Sequence, residues 1–151
     1  MLLSDPHRSI VHFDLDTFFV SVERLLDSKL KNRPVLVGGL GDRGVVASCS
    51  YEARNFGIYS GMSMKIARRL CPEAAVVKGD SGKYSKYSSD VTQIIKESVP
   101  LVEKASVDEF YLPLSKLNSS NLAKITLKVG DKVSEPTAVT DTPVEFQGLT
   151  K

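Results

Sequence analysis

Ile10-Val11-His12-Phe13-Asp14-Leu15-Asp16-Thr17-Phe18-Phe19 opens as an apolar, β-forming run and passes at once into the start of a helix. A carboxylate closes the strand portion. A second run of the same kind lies far along the chain, Lys104-Ala105-Ser106-Val107-Asp108-Glu109-Phe110-Tyr111-Leu112. It reads as one strand. Acids set in half-buried runs are expensive unless something cationic meets them. His12 reads as a core histidine and His7 as leader, so the acids stand as an all-oxygen donor set, which suits magnesium. If the two strands lie side by side, Asp14, Asp108 and Glu109 converge, the layout of a two-metal phosphoryl-transfer site. Opposed carboxylates without a metal repel, so either Asp14 or Asp108 should have a raised pKa.

Outward from that run, the periodicity gives alternating elements. Phe18, Phe19, Val22, Leu25 and Leu26 recur at helical spacing over 17–30, with Asp16 as the expected N-cap. Pro34 to Val37 and Gly44 to Ser48 read as strands joined by the Gly-rich stretch Gly38-Gly39-Leu40-Gly41-Asp42-Arg43-Gly44. That stretch lacks the Gly-Lys-Ser/Thr ending of a phosphate-binding loop, so a hairpin is the better reading. Tyr51 to Phe56 reads as a short helix stopped by Gly57, and Ser63 to Leu70 as another that ends before Pro72. Ala74 to Lys78 is a weak strand. Tyr84, Tyr87, Val91, Ile94 and Ile95 mark one face of a longer helix that ends before Pro100. The tail from 121 to 151 shows little periodicity.

The chain has 151 residues, 42% of them hydrophobic, enough for one core and a small subdomain. A net charge of +2 neither demands nor excludes nucleic acid. Cys49 and Cys71 have no metal spacing, and no signal peptide or membrane-spanning run is evident, so a cytoplasmic location is expected.

Three segments, in order, resemble motifs of Y-family translesion DNA polymerases of the bacterial DNA polymerase IV kind. Phe13 to Glu23 is similar to their opening motif, Ala47-Ser48-Cys49-Ser50-Tyr51-Glu52-Ala53-Arg54-Asn55-Phe56-Gly57 to their fingers motif, and Lys104 to Leu112 to their second acidic motif. The resemblance implies an α/β (α+β) fold with a ferredoxin-like palm sheet. The palm would occupy 1–24 and 76–120, with a small fingers subdomain inserted at 25–75. It implies a DNA-directed DNA polymerase that works by two-metal nucleotidyl transfer. Asp14 and Asp108 would bridge two Mg2+ ions, with Glu109 and the backbone carbonyl of Leu15 as further ligands. Phe19 matches the steric gate against a ribose 2′-hydroxyl, and Phe18 would pack beside the sugar. Ser48, Tyr51 and Arg54 would contact the triphosphate, and Lys124 matches a lysine that helps to hold it.

After Leu114 the resemblance thins. Thumb and little-finger segments are not recognisable, and 121–151 reads as a tail with a possible trace of the palm end or thumb start. The implied partners are primer-template DNA, deoxynucleoside triphosphates and, through regions not seen here, a sliding clamp. The chain reads as a truncated catalytic portion in which a missing palm strand would leave Val107 to Leu112 unpaired. Two alternatives remain: a noncatalytic nucleotide- or partner-binding remnant, and a palm-like nucleotidyl cyclase, against which Tyr51-Glu52-Ala53-Arg54 argues.

Overall fold

The structure, a computed structural model, describes residues 10–113, 116–118, 120 and 124–125, and the backbone of 146–148. The chain divides into two compact units, Met1–Asp16 with Ser85–Lys151, and Thr17–Tyr84.

The first unit is built on a sheet of order β5-β6-β1-β7, with β1 at Ile10–Asp14, β5 at Glu103–Lys104, β6 at Glu109–Pro113 and β7 at Phe146–Gly148. β1 runs antiparallel to β6 on one side and to β7 on the other. Phe13 and Phe110 are register partners, and their rings meet edge-on at 6.2 Å. Both are fully buried, as are Val91 and Ile95 on α4, Ser81–Ser98, which spans the boundary between the units, and Val99 just past its end. Val91 and Ile95 are four apart and so share one face of the helix, and the Val99 amide, donating to the Ile95 carbonyl, closes its last turn.

The expected strand Lys104–Leu112 is in fact two. The chain turns between β5 and β6, where the amides of Ala105 and Ser106 both donate to the carbonyl of Glu109. Asp108 therefore sits in the bend before β6, not within a strand. The expectation of an unpaired edge along Val107 to Leu112 also fails. β6 pairs with β1 over its whole length and with β5 at Phe110 and Tyr111. β7 went unread because three residues are too few to show alternation. In the rest of the 121–151 tail, Lys124 and Ile125 are helical; the remainder lies outside the described residues.

The second unit contains α1, Phe18–Leu26, and a sheet of order β3-β2-β4, with β2 at Val35–Gly38, β3 at Val46–Cys49 and β4 at Ala75–Lys78. β2 and β3 are antiparallel, so the Gly-rich stretch is a hairpin connection; β4 returns parallel to β2. The hairpin needs its glycines, because a Cβ on Gly44 would run into the carbonyl of Gly39. α2, Tyr51–Arg54, and α3, Met64–Leu70, help to close a core of Leu36, Val46, Ala53, Ile58, Met64 and Ala67. Asp16 is not the cap of α1. Thr17 holds that position in the left-handed region (φ 45°), with no side-chain capping bond. α1 contacts β2 and β3, which places it in the second unit.

Candidate metal centre and nucleotide-contact residues

Antiparallel pairing sets Asp14 directly opposite Glu109. The amide of Leu15 then donates to the carbonyl of Asp108 at 2.9 Å, which holds the bend against the end of β1. Side chains two apart on a strand share a face, so His12 accompanies Asp14. Ligand atoms of His12, Asp14 and Glu109 all lie within 4.8 Å of one another. His12 Nε2 is 3.4 Å from Glu109 Oε1, close but not aligned as a hydrogen bond, and its ring stacks on Tyr111 at 5.1 Å.

Ser106 Oγ lies 2.9 Å from Asp108 Oδ1 and 3.0 Å from Glu109 Oε2. A hydroxyl has one proton to give, so it can satisfy only one of two ionised carboxylates at a time. The surplus negative charge is felt at Asp14. Burial, then the charges of Asp108 and Glu109, raise its pKa above the ordinary carboxylate value, and His12 offsets this only in part. The repulsion expected for the pair is therefore present and falls on Asp14. Among the described residues no lysine or arginine pairs with these three acids. The tight group is mixed, two carboxylates with an imidazole nitrogen, and differs from the all-oxygen set expected from sequence; its unmet negative charge fits a divalent cation.

His12 and Ser106 are the residues that sequence reasoning missed. His12 was legible in principle, because it lies two positions before Asp14 on the same strand. Ser106 carried no local signal, since its role depends on the bend.

The proposed nucleotide-contact residues lie mostly in the Thr17–Tyr84 unit. Phe18 is 2% exposed and meets Tyr84 edge-on at 6.5 Å. Phe19 is half-buried and stacks on Tyr84 at 4.3 Å, the planes 14° apart. Ser48 is buried on β3. Tyr51 and Arg54 share α2, both exposed, with the guanidinium 4.6 Å above the tyrosine ring. α2 is held at its start by Ser50 Oγ, which accepts from the amides of Val35 and Ala53. Lys124 is exposed and lies in the first unit.

A profile of the impB/mucB/samB family matches residues 13–140. The chain belongs to that family. A DNA polymerase IV from Dehalococcoides mccartyi is 42% identical over 130 residues, which cover 84% of this chain and 33% of the relative. Among solved structures, DinB from Sulfolobus solfataricus superposes with a TM-score of 0.72 at 28% identity, covering 82% of this chain and 38% of that one. An insertion ternary complex of Dbh DNA polymerase gives 0.70 at 28% identity, covering 85% and 39%. The mixed α/β fold is thus that of the palm and fingers of Y-family polymerases. The chain spans about a third of the length of the curated relative. Y-family polymerases use divalent metal ions, and the cluster around Asp14 is a possible acidic site for one.

Proposed function

We propose that this chain carries the metal- and nucleotide-binding part of a translesion DNA polymerase. The observation that carries the reading is the Asp14–Glu109 register at one end of a sheet, with the Asp108 carboxyl tied to that of Glu109 through the Ser106 hydroxyl. Two magnesium ions, when bound, supply activation of a primer 3′-hydroxyl and offset charge on the leaving pyrophosphate. Asp14 and Asp108 would hold both, with Glu109 and the Leu15 carbonyl completing the donors. Ser106 restrains Asp108 and Glu109 in place.

Arg54 and Tyr51 donate to triphosphate oxygens, the guanidinium through charge-assisted bonds. Ser48 adds a hydroxyl donor, and Lys124 a point charge. The ring of Phe19 fills the space that a ribose 2′-hydroxyl would need, and the buried Phe18 backs that ring. Palm functions fall to 1–24 and 76–120, fingers functions to 25–75.

The proposed substrates are primer-template DNA and deoxynucleoside triphosphates; the sliding clamp stays an expectation of the resemblance, with no residue here assigned to it. Two cysteines that are free and buried support a reducing, cytoplasmic setting. Among the described residues no helix is long and apolar enough to cross a membrane. Duplex affinity rests on many phosphate contacts, so the isolated chain should extend a primer poorly.

The deciding experiment is a titration of the chain with a deoxynucleoside triphosphate, with and without magnesium, alongside primer extension. Magnesium-dependent binding that Asp108→Ala removes is the expected result. Binding that ignores both magnesium and the substitution would reject the assignment.

A further inference from the structure

Phe19 and Glu23 are one turn apart on α1 and so share a face of that helix. Tyr84, in the first turn of α4, meets both. Its ring lies parallel to Phe19, and its hydroxyl donates to Glu23 Oε1 at 2.7 Å across 61 residues of sequence. Glu23 is 5% exposed and Tyr84 4%. Phe18 closes the group, edge-on to Tyr84 and tilted against Phe19.

A buried carboxyl is a costly way to fill space, and an apolar residue of similar volume would pack there at no desolvation cost. What the carboxyl adds is direction. A phenol held at its oxygen by a short bond has its ring fixed along the whole axis from Cβ to hydroxyl. A parallel stack is sensitive to that axis, because an aromatic pair prefers a narrow set of offsets and tilts. Burial, followed by the hydrogen bond to Glu23, raises the Tyr84 pKa, so the phenol keeps the proton with which it donates.

We propose that Glu23 and Tyr84 are positioning residues that hold the Phe19 ring in place and so set discrimination between deoxyribose and ribose. This rests on the reading of Phe19 as the group that excludes the 2′-hydroxyl. Neither residue touches the nucleotide; Glu23 acts on Tyr84, and Tyr84 acts on Phe19.

The test uses the whole 151-residue chain and two readouts. One is the ratio of dATP to ATP affinity in magnesium. The other is the NMR shift of ring-labelled Phe19, which the Tyr84 ring current displaces. Tyr84→Phe keeps the ring and removes the bond. It should lower the dATP preference by about three- to tenfold, the worth of one hydrogen bond, mainly through tighter ATP binding, and move the Phe19 signals. Glu23→Ala should do the same, and Glu23→Gln, which keeps an acceptor, should restore most of both. If Glu23→Ala does not fold, Tyr84→Phe and Glu23→Gln still decide. A purely structural role would lower the melting temperature and leave the ratio and the Phe19 signals unmoved, which overturns the proposal. Phe19→Ala separates the two ideas. If it abolishes the preference while Tyr84→Phe changes nothing, the gate stands and the positioning fails. If it leaves the preference intact, the gate reading falls and takes the selectivity half of the proposal with it; the ring signals then decide the positioning half.

Discussion

At the end of the β1–β6 pair, Asp14 is pushed toward its protonated form by burial and by Asp108 and Glu109. In the Thr17–Tyr84 unit, Glu52 goes the other way. Burial pushes its carboxyl up, but its backbone hydrogen bond and Arg24, whose Nη2 lies 2.9 Å from Oε2, outweigh this and leave it below the usual range. Glu23, buried more deeply than either, is met by the Tyr84 hydroxyl. In one unit Glu52 is paired with a cation and Glu23 with a hydroxyl, whereas in the other, among the described residues, no lysine or arginine meets Asp14, Asp108 or Glu109. Such unmet charge is what a metal-binding face requires, since a site already filled by lysine or arginine would have to expel it before binding a cation.

The contrast breaks most sharply at Asp108. Asp108→Ala should abolish magnesium-dependent nucleotide binding, whereas Glu52→Ala should leave the magnesium dependence in place. Calorimetry on the two variants checks this, and equal losses would erase the distinction between the regions. Ser106→Ala comes next. It frees two carboxylates that now share one hydroxyl, and it should weaken magnesium or manganese binding by about 10- to 100-fold, as loss of a ligand-orienting partner does. An unchanged metal titration would show that the hydroxyl restrains nothing.

Arg24→Ala sharpens the other side. The guanidinium also donates to the carbonyls of Leu30 and Arg33, so its removal should cost about 1–2 kcal/mol after allowance for its exposure, read by urea unfolding. The sign with pH follows from the lowered Glu52 pKa. Its contribution is fully present above the unfolded carboxylate value of about 4.3 and is lost as pH falls through the lower folded value. The stability gap between wild type and Arg24→Ala should therefore close in acid. Asp14→Asn should have the smallest effect and the opposite sign. A raised folded pKa means that stability falls as pH rises through it, so removing the charge should raise the melting temperature in chelator near neutral pH. Added magnesium should stabilise wild type and not this variant. A lower melting temperature for Asp14→Asn in chelator would mean that the carboxylate is already compensated.

Most elements were legible because they advertise themselves over a few residues. The alternation from apolar strand to helix at Ile10 to Phe19, the glycines between Gly38 and Gly44, and the apolar spacing of Val91 and Ile95 each depend on local periods of two or 3.6. The errors arose where a local rule had a competitor. Asp16 is a good cap by composition, yet the turn into α1 puts Thr17 at that position. Lys104 to Leu112 looks like one strand, yet both Ala105 and Ser106 amides bond the Glu109 carbonyl and bend it.

By itself the sequence determined the three motifs, their order and hence the family, together with the acids, rings and the side chains proposed to contact phosphate. Only the tertiary structure decided which of them meet. The Asp14–Glu109 register, the place of His12 beside it, the Ser106 clamp and the Glu23–Tyr84 bond join positions up to about a hundred residues apart. No local period encodes such pairings. They are selected by which strands and helices can bury their apolar faces together, and the polar side chains then find their partners inside the arrangement that burial has set.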